Sequence, residues 1–156
     1  LLALARTSGH TQVKTPYYSA TIQAHFSAAH KLRDYETGCA RLHGHNWKVQ
    51  VTLASTTLDS MGMVMDFKHI KSILKTHLEP WDHQLLNDIP PFNDINPTAE
   101  NIAVILFQTL TINLKEIFKN KSSAQHDSPD RVWLEKVTVY ETDGYSASYT
   151  GRDVPA

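Results

Sequence analysis

The sequence predicts an α+β fold, an antiparallel β-sheet in the order β-β-α-α-β-β with two helices on one face. Three observations carry this prediction. Residues 17–28 and 45–55 alternate apolar and polar side chains, as strands with one buried face do. Residues 67–79 and 98–118 change to helical spacing. Residues 132–141 and 144–150 return to alternation.

Each element has its own warrant. Tyr18, Ala20, Ile22, Ala24 and Phe26 share one side of the first strand, and Trp47, Val49, Val51 and Leu53 share one side of the second. Lys31 to Arg41 between them is polar and contains Gly38, so it reads as a loop. A turn over 57–62 and a short extended stretch over 63–66 lead to the first helix. Its stripe is Phe67, Ile70, Ile73, Leu74 and Leu78, with Asp66 as N-cap and Pro80 as terminator. Residues 81–96 read as a loop. Asn96 is placed as the cap of the second helix and Pro97 in its first turn. Ile102, Ile105, Leu106, Leu110 and Leu114 form that helix's buried stripe. Lys119 to Asp130 reads as a mobile surface loop. The third long strand places Val132 and Leu134 on one side, then Val137 and Val139, which requires an irregularity near Glu135. Asp143-Gly144 is a hairpin turn signal before the last strand. The free edges of such a sheet invite oligomerisation.

Composition narrows the function. A chain of 156 residues with 41% apolar and 20% charged residues fits one globular domain, here residues 17–156, with 1–16 as an extension. Fifteen Lys and Arg against 16 Asp and Glu give a net charge of −1, which argues against nucleic acid as a partner. No apolar run approaches the roughly 20 residues of a membrane span. One cysteine excludes an internal disulfide and a CxxC zinc ribbon, and points to a reducing, cytoplasmic compartment. Nine histidines beside it are the unusual feature.

Three of them have a metal-ligand pattern. His43-Gly44-His45 sends two rings to the same side of an extended chain, and Gly44 leaves the gap between them uncrowded. His30, near the end of the preceding strand, supplies a third ring. Three protein ligands with one open position is the pattern of catalytic zinc, whereas structural sites close all four. The alternative is three ordinary polar residues at strand ends. His25, His69, His77 and His126 lack such company and read as structural or surface residues. Cys39 precedes His43 by four positions. It is a fourth ligand in a closed structural site, a thiolate held off the metal, or an inert thiol. Asp82-His83 follows Pro80 on a bent segment. A carboxylate there orients an imidazole and raises its pKa, or Asp82 simply caps a turn.

Six segments in order carry a resemblance. They are Phe26 to His30, Cys39 to Trp47, Gly62 to Phe67, Asp82 to Asn87, Asn96 to Asn101 and Tyr140 to Thr142. Together they resemble the 6-pyruvoyltetrahydropterin synthase family, which includes the 6-carboxytetrahydropterin synthases of the queuosine pathway, over about Tyr18 to Tyr149. The resemblance implies the tunnelling fold and trimers stacked into hexamers, with active sites between subunits and Asp82-His83 serving a neighbouring chain. It implies His30, His43 and His45 as ligands of Zn2+, Cys39 as proton-abstracting base, and Asp82 with His83 as proton-transfer pair. It implies Glu141 as anchor of the pterin ring, where a carboxylate accepts two hydrogen bonds. Thr98 and Glu100 match a helix start near the pterin pocket. The implied substrate is 7,8-dihydroneopterin triphosphate. Three residues between Cys39 and His43 resemble the carboxy branch, whose product is 6-carboxy-5,6,7,8-tetrahydropterin, with triphosphate and acetaldehyde released. The alternative is the pyruvoyl branch, which retains the side chain. A third branch uses a loop glutamate, and Glu36 lies seven residues before His43. From other classes, a non-catalytic zinc-stabilised module would use Cys39 as a ligand, and a pterin-binding protein would bind through Glu141 without turnover. Lys31, Arg33, Arg41 and Lys48 are the candidate cations for the triphosphate.

Overall fold

The computed structural model describes residues 16–36, 38–121 and 131–151, with side chains for all of these except Cys39 and residues 118–121. The expected N-terminal extension, apart from its last residue, and residues 122–130 of the expected 119–130 loop lie outside the described residues. The long elements are β1 (Tyr18–His30), β2 (His43–Ser55), α1 (Phe67–Leu78), α2 (Ala99–Lys121), β4 (Val132–Thr142) and β5 (Tyr145–Thr150), with a short β3 (Gln84–Leu85) between the helices. They form the expected α+β layer with one five-stranded sheet in the order β3-β1-β2-β4-β5.

β1 and β2 each run two residues further toward each other than alternation alone indicates, so His30 and His43 face one another as the last paired residues. Ile22, Phe26 and Ala28 of β1, Trp47, Val49, Val51 and Leu53 of β2, and Val137 and Val139 of β4 are buried in one apolar cluster with Ile70, Leu74, Ile102, Leu106 and Leu110. The alternation that builds this core also puts His30, His43 and His45 on its face, at the end of the sheet. The irregularity near Glu135 is a β-bulge: Leu53 pairs with Leu134 and Thr52 with Lys136.

Three expectations need correction. Residues 81–96 are not plain loop. They contain β3, which pairs parallel with β1 through Ala28–Gln84 and Ala29–Leu85 and makes the sheet mixed, and they bury Trp81, Leu86 and Phe92. The α2 cap is Thr98, not Asn96: the Thr98 hydroxyl accepts from Asn101 N–H at 3.2 Å, and Asn101 Nδ2 donates back to Asn96 O at 2.8 Å. Pro97 therefore lies before the helix, and its carbonyl is available to a side chain. At its other end α2 continues past Phe118 to Lys121, into the expected loop. Among the described residues no helix is long and apolar enough to cross a membrane.

Two asparagines hold the chain as it leaves β1. Buried Asn87 accepts from Lys31 N–H at 2.9 Å and donates to Lys31 O at 2.9 Å. Asn96 repeats the pattern on Arg33, at 2.8 and 3.0 Å. Asn87→Ala removes a complete pair of bonds and is expected to destabilise the fold by about 2 kcal/mol. Denaturant titration checks this, and an unchanged midpoint contradicts the role.

Candidate functional site

Four side chains converge at the end of the sheet. The ligand atoms of His30, His43, His45 and Glu141 all lie within 4.8 Å of one another. His30 Nε2 is 3.0 Å from His43 Nε2. Glu141 Oε1 is 3.1 Å from His30 Nε2 and 3.3 Å from His45 Nε2. The fully buried Trp47 forms the floor, its ring edge-on to His30 at 5.0 Å and to His45 at 5.3 Å, with its Nε1–H on Ala28 O.

The outer hydrogen bonds decide what these rings present. His30 Nδ1 is 2.7 Å from Pro97 O, and His43 Nδ1 is 2.7 Å from Arg41 O. A carbonyl oxygen only accepts, so each Nδ1 carries the ring proton. In the neutral rings both Nε2 lone pairs then face the same point. His45 Nε2 is buried, and although Glu141 lies close it makes no hydrogen bond. Burial lowers the pKa of His30 and of His45, keeping both rings neutral, and the neighbouring imidazoles add to that effect. Inward-facing lone pairs at 3.0 Å, an orphaned nitrogen and a carboxylate fit a bound cation. Nδ1–H to carbonyl is the usual outer support of a metal-ligating imidazole. The three imidazole donors, with the Glu141 carboxylate at the wall, suit a first-row transition ion.

Glu141 reaches this cluster through a second bulge. Tyr140 pairs with Ser146 and Thr142 with Tyr145, leaving Glu141 unpaired between them. It was expected at a pterin ring, and the structure sets its carboxylate at the wall of the histidine cluster. Cys39 falls in the 3-10 turn Gly38–Ala40 that leads into the cluster, and its side chain is outside the described set.

Asp82 and His83 are brought together but not to these histidines. Asp82 Oδ1 accepts from Ser27 N–H at 2.8 Å, and Asp82 Oδ2 lies 3.0 Å from His83 Nδ1. The Ser27 N–H holds the Asp82 carboxyl below its usual range, and His83 strengthens the effect. His83 adopts φ 59° and its side chain is 80% exposed. It lines an open cavity of about 530 Å³ with Ser27, Ala29, Gly44, Asn46 and Gln84, and Ala28, His45 and Leu85 also border it. Ser27, Ala29, Gly44 and Asn46 alternate with the core residues of β1 and β2, so most of the lining belongs to the outer face of the sheet. Gly44 belongs to that face too: a Cβ there would meet Ala28 O at an ordinary 3.7 Å, so its missing side chain opens the cavity and does not separate the two imidazoles. Thr98 serves as the α2 cap, and Glu100 is exposed in the first turn of α2. Sequence reasoning missed Asn87, Asn96 and the carbonyls of Arg41 and Pro97. Asn87 stood without a task inside a motif already singled out, and Asn96 was given the α2 cap rather than its bonds to Arg33.

Residues 19–152 match the family described as 6-pyruvoyl tetrahydropterin synthase. A 6-carboxy-5,6,7,8-tetrahydropterin synthase of Synechocystis sp. is 44% identical over 94 residues, covering 54% of this chain and 68% of that protein. A 6-pyruvoyl tetrahydrobiopterin synthase of Homo sapiens is 36% identical over 112 residues, covering 70% of this chain and 67% of that protein. The structure of the Caenorhabditis elegans 6-pyruvoyl tetrahydropterin synthase superposes with a TM-score of 0.68 at 28% identity, covering 88% of this chain and 98% of that one.

Metal retention is expected to persist below the ordinary imidazole pKa of 6.5, because burial delays protonation of His30 and His45, and to fail on further acidification. The same sign holds for folding without metal. The unfolded rings take protons near 6.5 and the folded ones only at lower pH, so their contribution is complete above 6.5 and lost as pH falls. Metal content and unfolding midpoints across a pH series check both. His43→Ala should weaken transition-metal affinity beyond the roughly 10–100-fold loss typical of outer-shell changes.

Proposed function

This chain belongs to the 6-pyruvoyl tetrahydropterin synthase family, and from that premise we propose that it is a zinc-dependent lyase. It converts 7,8-dihydroneopterin triphosphate to 6-carboxy-5,6,7,8-tetrahydropterin and releases triphosphate and acetaldehyde. The observation that carries this reading is the convergence of three imidazoles on one point, with Cys39 on the turn just before them. His30, His43 and His45 would hold the ion, which supplies Lewis-acid polarisation of the substrate's side-chain hydroxyls when bound. The Cys39 thiolate abstracts a side-chain proton. His83, oriented by Asp82, gives or takes the other proton. Internal proton transfers reduce the ring at the expense of the side chain, so no nicotinamide is needed. Triphosphate leaves by elimination. A water then adds to the side-chain carbonyl next to the ring. Cleavage of the adjoining carbon–carbon bond leaves the carboxylate on the ring, and the departing two-carbon fragment takes a proton and is released as acetaldehyde.

Glu141 accepts hydrogen bonds from the pterin N–H and amino group, and Thr98 and Glu100 border that pocket. Because His83 lies on the outer face of its own sheet, we assign the Asp82–His83 pair to the site of a neighbouring copy, in a hexamer of two trimers. The pyruvoyl product is the second reading. The relatives carry both names, and the human protein is 36% identical. The Cys39-x3-His43 spacing favours the first.

Mass spectrometry of the product separates the two readings, since released acetaldehyde supports the carboxy branch and a retained three-carbon chain the pyruvoyl branch. Cys39→Ala should abolish turnover at near wild-type zinc content, and full activity in that variant would sink the base assignment. Glu141→Gln should raise KM for the pterin without loss of zinc. Mixing inactive Cys39→Ala with inactive His83→Ala, after dissociation and reassembly, should restore part of the activity. Persistent inactivity of the mixture contradicts sites shared between copies.

A further inference from the structure

The chain's net charge of −1 provides no general attraction for a polyanion, so a triphosphate must be met by local cations. Four flank the site in sequence, and the structure sorts them. Arg33 is a strut: its Nη2 donates to Phe92 O and Ile95 O, each at 2.6 Å. Lys48 is engaged by Asp143 at 3.1 Å and lies 4.2 Å over the Tyr140 ring. It also alternates with His45, Trp47 and Val49, which puts it on the outer face of the sheet. Lys31 and Arg41 are different. Both are exposed, and among the described residues their side chains make no hydrogen bond or ion pair, including with the loop acids Asp34 and Glu36.

Their placement is specific. His30 and His43 are the final pair of the β1–β2 ladder. Lys31 is the next residue out of β1, and Arg41 lies two residues before β2. The two cations therefore stand on the two chain segments that leave the same end of the sheet, beside the imidazoles. Their backbones are fixed. Asn87 holds both the N–H and the C=O of Lys31. Arg41 N–H bonds Gly38 O at 3.1 Å, and Arg41 O receives the His43 Nδ1–H. The result is two long, unneutralised side chains on rigid footings at the mouth of the histidine cluster.

We propose that Arg41, with Lys31, binds the triphosphate of the substrate at this mouth. This rests on the reaction proposed above. There the hydroxyls of the three-carbon side chain lie at the ion, and the triphosphate is attached at the end of the same chain. It must therefore emerge within a few bonds of the imidazoles. A guanidinium offers two parallel donors to phosphate oxygens, and an ammonium offers a point charge. Both would also stabilise the charge that grows on triphosphate as its C–O bond breaks.

The test is steady-state kinetics on 7,8-dihydroneopterin triphosphate, with inorganic tripolyphosphate as competitive inhibitor. Arg41→Ala should raise KM, and the inhibition constant of tripolyphosphate with it, by about tenfold or more. Arg41→Lys should recover part of the loss, and Lys31→Ala should show a smaller effect in the same direction. Metal content and binding of unphosphorylated neopterin should stay at wild-type values, because the backbone carbonyl that orients His43 is retained. Lys48→Ala should change nothing. Wild-type KM and inhibition constants in both Arg41→Ala and Lys31→Ala overturn the assignment. A parallel loss of neopterin affinity also overturns it, since that marks a general structural effect. A wild-type protein that binds tripolyphosphate through Arg41 yet does not consume the substrate keeps this site and rejects the reaction.

Discussion

A slip of β2 by one residue along β1 would turn His43 and His45 to the outer face and leave His30 alone on the inner one, because strand side chains alternate. The core forbids that slip. Trp47, Val49, Val51 and Leu53 of β2, which face the core beside Ile22, Phe26 and Ala28 of β1, would move outward with those two histidines. Exposing each large one costs roughly 1.5–3 kcal/mol, far more than the polar replacements return. The positions of the three imidazoles are thus set by hydrophobic burial well away from them. Trp47 joins the two regions, since its ring closes the core and carries His30 and His45 against its edges.

Register fixes where the rings are, and the chain around the sheet fixes how they turn. Pro97 and Arg41 each present one carbonyl to one Nδ1. Pro97 can do so because Thr98 and Asn101 start α2 after it and tie the segment through Asn96. This half of the site was not legible in the sequence. Alternation and helical spacing are local patterns, and they revealed the long strands, both helices, the histidine triplet and the break near Glu135. The bonds that orient His30 and fix Lys31 and Arg33 join residues more than 50 positions apart, and each involves a single side chain with no periodicity. β3 was missed for a related reason. Two residues are too few to alternate, and only the neighbouring β1 makes them a strand.

The bulge at Glu135 has an effect six residues downstream. Val132 and Leu134 face the core, so uninterrupted alternation would bring Lys136, Thr138 and Tyr140 inward next. The extra residue exchanges the parity, and Val137 and Val139 join the apolar core instead, with Glu141 following on the same face. A carboxylate arrives among the imidazoles only because the strand carries that insertion. The second bulge, at Glu141 itself, ends the regular ladder and leaves the residue half-buried at the sheet's end. An irregularity in the hydrophobic pattern thus doubles as the device that aims a polar group.

The same alternation divides the chemistry. Odd residues of β2 from His43 to Leu53 continue the core into the histidine cluster, while Gly44 and Asn46 line the outer cavity with His83. Asp82 is bound to the backbone of Ser27 at the edge of the sheet, and the bond it makes to His83 keeps that ring near the outer face. The proposed reaction needs both the cluster and the Asp82–His83 pair at one point, and in the arrangement proposed for it the outer edge of one copy meets the inner mouth of another. In that arrangement, assembly is a condition of the chemistry and not an addition to it.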